Sequence, residues 1–166
     1  MIKYTETRKQ KIAENLQAAH EAKPQAQWIS CKEYPNYLFS TKGDVFSLSR
    51  ARLIKPYVTP EGKKKSDGTY SKVSARIDLT DKNGKTQHWK MHKLMIYVFR
   101  NWYDVADWNA VTQIHHRDRD VLNWKPENLI PTNLEQHKQM HALLREIDKT
   151  EKIIAELIRM QKEQIA

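Results

Sequence analysis

The chain has 166 residues, 39% of them hydrophobic, and a formal net charge of +9, which suits one compact domain or a small module with appendages. No apolar run approaches the length of a bilayer crossing, and the charged start, Met1 to Lys11, lacks the apolar stretch of a secretion signal, so a cytosolic protein with no membrane partner is expected. The single cysteine, Cys31, excludes a disulfide framework and any multi-cysteine zinc site.

In chain order, residues 5–22 read as a polar helix with apolar points at Ile12, Leu16 and Ala19, ended by Pro24. Its sparse apolar face leaves open whether it docks or forms a loose arm. Residues 28–90 read as β structure. Tyr37, Phe39, Val45, Phe46 and Leu48 flank a turn at Lys42-Gly43-Asp44, and Val73, Ala75, Ile77 and Leu79 alternate with polar residues as in a half-buried strand. The Glu-Gly-Lys-Lys-Lys-Ser-Asp-Gly stretch between Pro60 and Tyr70 reads as a solvated loop. Asn83-Gly84 reads as a two-residue hairpin turn, followed by a strand from Thr86 to Lys90.

Residues 91–102 read as a helix with Leu94, Met95, Tyr97, Val98 and Trp102 on its apolar face. Residues 112–118 and 127–132 read as short extended pieces around a polar loop. A long helix is expected from Asn133, a good N-cap, to the C-terminus. Its apolar stripe can pack on the body, pair with a second copy, or lie along a ligand, and packing on the body is the expectation.

The charge is uneven. Residues 1–27 carry five Lys/Arg and three Asp/Glu, residues 28–104 carry fifteen and seven, and residues 105–166 carry nine and ten. The middle segment is therefore the basic one, and such a segment attracts a polyanion, of which nucleic acid is the commonest.

Four of the seven histidines fall between residues 115 and 141. His137 and His141 stand four apart on a predicted helix, so they share a face and can grip one ion. His115 and His116 are adjacent on a predicted strand, where successive side chains point to opposite faces. One of them can therefore complete a three-histidine site, leaving the other unligated and able to accept a proton. That is the equipment for phosphodiester hydrolysis: an ion to stabilise charge on the phosphate, a neutral imidazole to deprotonate water, and an open position on the ion.

The run Ile114-His115-His116-Arg117-Asp118-Arg119-Asp120, then Asn123, Pro126-Glu127-Asn128-Leu129, His137 and His141 resembles the HNH family, the ββα-metal nucleases. The resemblance implies two antiparallel strands and a helix gripping one divalent ion. It makes His116 the general base and Asn128 the middle asparagine that ties the loop and helps orient that base. It makes His115, His137 and His141 metal ligands and gives Asn123 a structural place in the loop. Where many phage-type members have Asp-Gly, this chain has Asp118-Arg119, and Arg119 is a candidate phosphate contact. Magnesium, manganese, zinc and nickel all stay open as the ion, because oxygen donors favour magnesium while imidazole favours the softer metals.

Upstream, Trp28-Ile29, Tyr34-Pro35-Asn36-Tyr37, Phe39-Ser40 and Gly43-Asp44-Val45-Phe46-Ser47-Leu48 resemble the N-terminal (NUMOD4-like) module of phage and intron-encoded HNH homing endonucleases. Met91-His92-Lys93-Leu94 with Tyr97-Val98-Phe99 resembles the short helix before their catalytic motif, and His92 is given no chemistry. The expected fold class is α+β. The expected organisation is a helical arm at 1–27, a β-rich DNA-binding module at 28–104, the HNH motif at 105–145 and a C-terminal helix at 146–166.

The expected function is metal-dependent cleavage of duplex DNA by a phage or mobile-element protein. Arg50, Arg52, Lys55, Lys63, Lys64, Lys65, Lys72 and Arg76 are the expected DNA contacts beside Arg119, and the C-terminal helix is a candidate homodimer surface. The alternatives are a non-catalytic DNA-binding protein with a structural histidine-bound metal, and a nuclease acting on RNA or without sequence preference.

Overall fold

The computed structural model describes residues 6–165, so the first five residues of the expected arm, and the side chain of Ile12, lie outside the described residues. The fold is α+β, with an N-terminal helix, then antiparallel strands, a short central helix and a long C-terminal helix. The chain divides into two units. One comprises the residues up to Asp104 together with His116–Ile130; the other comprises Val105–His115 and the residues from Pro131 onward.

The first unit opens with α1 (Glu6–Ala22). Strands β1 (Trp28–Ser30), β2 (Tyr37–Ser40), β3 (Val45–Ser47) and β4 (Arg52–Ile54) follow as an antiparallel meander in sequence order. The question left open for the arm is decided by burial: α1 is docked. Ala19 is buried in one cluster with Leu38 and Phe46, and Ala18, Trp28, Leu48 and Leu53 pack around them. Asn15 is buried too, and its Nδ2 donates to the Leu48 carbonyl. A helix with so narrow an apolar face docks by close approach of its alanines.

A three-stranded antiparallel sheet, β5 (Tyr57–Lys64), β6 (Tyr70–Thr80) and β7 (Thr86–Lys90), completes the β structure. Its inner face is the predicted alternation: Ala75, Ile77 and Leu79 are buried, while Val73 at the far end is exposed. Helix α2 (Met91–Val98) covers this face and buries Met91, Leu94, Met95 and Ile96. The helix is shorter than the predicted 91–102. At Phe99 the chain leaves helical geometry and tightens into a 3-10 turn, Arg100–Trp102, in which the Trp102 amide donates to the Phe99 carbonyl at 2.8 Å. Phe99 is buried, whereas Trp102 and Tyr97 are partly exposed rather than core.

The predicted solvated loop after Pro60 is mostly strand. Strand β5 runs on through Lys64, with a register shift between Glu61 and Lys64, and only Lys65 to Thr69 turn the chain. Pro60 is tolerated because β5 is an edge strand with no neighbour on its far side. Glu61, expected in solvent, is an ionic centre. Its carboxylate accepts from Lys90 Nζ at 2.7 Å, Arg76 Nη2 at 2.6 Å and Ser74 Oγ at 2.8 Å. These bonds, led by Lys90, hold its pKa down at about 2.

Three hairpins share one turn. In Ser40–Asp44, Lys65–Thr69 and Asp81–Lys85 the first amide donates to the last carbonyl, and the glycine amide donates back to the first carbonyl. Each glycine has a left-handed φ: +84° at Gly43, +84° at Gly68 and +81° at Gly84. This is the three-residue loop built on a type I turn and a left-handed residue. It corrects the two-residue turn expected at Asn83-Gly84. The Asp81 carboxylate accepts from the amides of Asn83 and Lys85 at 2.9 and 3.0 Å, which stabilises the longer loop.

The second unit contains a 3-10 turn, Trp108–Ala110, capped by the Asp107 carboxylate, and the long helix α3 (Leu134–Ile165). Strands β8 (Gln113–His116) and β9 (Leu129–Thr132) form a two-stranded sheet, and the division between the units runs through both strands. Along α3 the side chains of Leu143, Ile147, Ile153, Ile154, Leu157, Ile158 and Met160 are all exposed. No helix among the described residues is long and apolar enough to cross a membrane.

Gly43 also anchors the first unit's polar loop. Trp124 Nε1 donates to the Gly43 carbonyl at 2.8 Å, and a β-carbon on Gly43 would meet Trp124 Cδ1 at 2.9 Å. Gly43→Ala is expected to cost about 2 kcal/mol, the sum of a left-handed alanine and a displaced indole. The loss should appear as a lower urea midpoint at unchanged slope.

Candidate functional site

In the second unit, β8 and α3 bring three imidazoles together. The start of α3 is fixed by a reciprocal cap: Asn133 Oδ1 accepts from the Gln136 amide at 2.8 Å, and Gln136 Oε1 accepts from the Asn133 amide at 3.0 Å. The cap sets His137 in the first turn, with its amide donating to the Asn133 carbonyl. His141 follows one turn later on the same face, and their ring centroids are 4.5 Å apart. His115, buried on β8, lies 5.7 Å from His137 and 5.1 Å from His141, centroid to centroid. One ring nitrogen from each lies within 4.8 Å of the other two.

This donor set fits a divalent ion. Zinc–nitrogen bonds of about 2.1 Å in tetrahedral geometry put nitrogens about 3.4 Å apart, so closure needs side-chain shifts of about an ångström. Three imidazoles leave the open position that substrate requires. Burial, and then the neighbouring His141, lower the pKa of His137, which keeps it in the neutral form that a ligand must have.

In the first unit, His116 is the last residue of β8, with its side chain on the opposite face from that of His115. It is buried, and its Nε2 has no hydrogen-bond partner among the described residues. Burial lowers its pKa, against an opposing pull from Asp118 and Asp120, so the ring is neutral and able to take a proton near neutral pH.

The loop after it is tied by side chains. Asn128 Nδ2 donates to Asp118 Oδ1 at 2.9 Å and to the Asn123 carbonyl at 2.8 Å, and Asn128 Oδ1 accepts from the Asp118 amide at 3.1 Å. Asn123 Nδ2 donates to the other Asp118 oxygen, and these bonds lower the Asp118 pKa. Asn128 and Asn123 are thus loop fasteners. Asp118, which sequence reasoning left without a role, is the centre they share.

A second ring, given no chemistry from the sequence, lies against His116. His92, on the first turn of α2, sets its ring edge-on to that of His116, with centroids 5.4 Å apart and planes at 85°. Burial, and then the neighbouring His116 imidazole, push the His92 pKa down to about 4. No local spacing links the two, because the contact is made by packing.

The basic residues are spread over the β structure. Arg50 follows β3, Arg52 is on β4 and Lys55 follows it, all exposed. Lys63, Lys64 and Lys65 sit at the end of the β5–β6 hairpin with Lys72 across from Glu61. That hairpin projects beyond β7 as a two-stranded ribbon, since β6 pairs with β7 only from Arg76 onward. Arg76 is half-buried and held by Glu61.

No family model matches the chain. It is 29% identical over 113 residues to the H-N-H endonuclease F-TflI of Escherichia phage T5, covering 68% of this chain and 50% of that protein. It is 26% identical over 106 residues to the H-N-H endonuclease F-TflII of the same phage, covering 64% and 47%. The chain thus spans about half the length of the curated relatives it matches. Among solved structures it is similar to the HNH homing endonuclease I-HmuI, with a TM-score of 0.50 and 21% identity, over 76% of this chain and 65% of that one. The HNH resemblance read from the residues agrees with these relatives, and over the matched part the fold is similar to that of I-HmuI.

The departure from the phage-type pattern, Arg119, has a backbone consequence. Its φ is +65°, and its amide donates to the His116 carbonyl at 3.0 Å. Glycine adopts that conformation freely, whereas a residue with a β-carbon is strained there by roughly 1–2 kcal/mol. Arg119→Gly should therefore be about 1 kcal/mol more stable in urea titration than Arg119→Ala, which removes the same guanidinium but keeps the β-carbon.

Proposed function

We propose that the chain is a metal-dependent HNH endonuclease that hydrolyses phosphodiester bonds in duplex DNA. The observation that carries this reading is the grouping of His115, His137 and His141 with their ligand nitrogens within 4.8 Å, followed along β8 by an imidazole outside that group. The similarity to phage H-N-H endonucleases supports it.

His115, His137 and His141 would hold one divalent ion, which when bound stabilises negative charge on the phosphate and on the departing oxygen. The chain's own chemistry falls to His116. Its unprotonated ring nitrogen takes a proton from water as the water oxygen bonds to phosphorus and the bond from phosphorus to the sugar oxygen breaks. Asn128 and Asn123 hold the Asp118 loop that leads away from His116. A structural metal without catalysis would predict no cleavage with any ion, and an RNA-acting nuclease would prefer RNA over duplex DNA.

The duplex would be held by the basic β structure. A major groove about 12 Å wide admits a two-stranded β-ribbon, and the β5–β6 hairpin presents Lys63, Lys64, Lys65 and Lys72 on one. Arg50, Arg52, Lys55 and Arg119 would add phosphate contacts. Arg76 serves mainly to complete the Glu61 cluster that stiffens the ribbon's base. The exposed stripe of α3, spaced by threes and fours, fits pairing with a second copy of the chain.

His116→Ala should abolish plasmid cleavage across magnesium, manganese, zinc and nickel while leaving folding and metal titration intact; cleavage at the parental rate would remove His116 as the base. In the same titration, His137→Ala should weaken metal binding and activity together. Replacing Lys63, Lys64 and Lys65 by alanine should weaken duplex binding and lower the slope of log K against log salt by up to about 2.7, about 0.9 for each phosphate that is no longer neutralised. An unchanged slope would place the DNA grip elsewhere.

A further inference from the structure

We infer that His92 is a positioning residue for His116, its ring forming the wall against which the His116 imidazole is set. The inference rests on the reading of His116 as proton acceptor, and deepens it.

The rings meet edge to face, 5.4 Å between centroids and 85° between planes. That is within the range in which aromatic rings favour a T-shaped contact. The wall is rigid. His92 follows the fully buried Met91, and Leu94, Met95 and Ile96 fasten α2 on the sheet. One nitrogen of His116, by contrast, is untethered among the described residues. Its Nε2 is buried with no partner among the described residues, although a catalytic imidazole is usually aimed by a hydrogen bond to its second nitrogen. Where no such bond acts on Nε2, the shape of the neighbouring ring sets the orientation.

Position matters because a general base must stand within hydrogen-bond reach of the water it deprotonates. A displacement of about an ångström can cost about a hundredfold in rate. Residues that position a base act on kcat, whereas residues that grip DNA act on affinity.

The test compares His92→Ala, His92→Phe and His116→Ala in the full chain, with thermal melting as the control for folding. His92→Ala should lower kcat by about 10–100-fold, with KM and duplex affinity within about twofold of the parent. His92→Phe, which restores a ring edge without the nitrogens, should recover most of the loss. In metal-free protein, the ring-proton resonances of His116 should shift in His92→Ala and return towards their parental positions in His92→Phe, a readout independent of activity.

Parental kcat in His92→Ala beside an inactive His116→Ala would overturn the positioning role and leave the base assignment standing. Parental cleavage by His116→Ala would overturn both. If His92→Ala does not fold, His92→Phe decides: near-parental kcat in a folded protein supports the inference, and activity as low as that of His116→Ala overturns it.

Discussion

Two successive residues of a strand face opposite ways, and β8 carries histidines at its last two positions. The candidate site depends on that alternation. His115 joins the pair on α3, where the capped first turn holds His137 and His141 on one face. His116 is turned away from that group and is met instead by His92 from α2. In the second unit His115 belongs to three imidazoles suited to a cation, and in the first unit His116 is a buried imidazole against His92.

The polar loop between β8 and β9 is held by a few short side chains rather than by a core. Asp118 accepts from both Asn123 and Asn128, and Asn128 returns a bond to the Asp118 amide. Such a closed set satisfies its own polar groups and so tolerates partial burial. Trp124 then pins the loop to the β2–β3 hairpin, where only glycine leaves room for the indole. The left-handed Arg119 sits in this otherwise well-satisfied loop, and backbone strain retained beside a candidate proton acceptor is where function is to be sought.

The basic charge of the middle segment is not uniformly available to a polyanion. Arg76 and Lys90 share Glu61, so part of the charge is neutralised within the sheet. The lysines at the hairpin end, Lys63 to Lys65, are exposed. A net charge describes the whole chain, while a binding surface depends on where the cations sit and which of them an internal carboxylate already holds.

Much of the site was legible in one dimension because its geometry is local. A four-residue interval places two histidines on one helical face, neighbouring residues alternate on a strand, and an asparagine begins a helix it can cap. The left-handed glycines likewise marked the turns, although the carboxylate of Asp81 lengthened one of them. The contact of His92 with His116, the seat of Trp124 on Gly43, the capture of Glu61 by Arg76 and Lys90, and the bare apolar stripe of α3 were decided by tertiary structure alone. Each depends on which distant segments come to lie together or fail to, and local periodicity carries no record of that. The sequence by itself determined which residues could hold an ion or take a proton; only the packing of α2 beside the end of β8 decided that the His92 ring lies against that of His116.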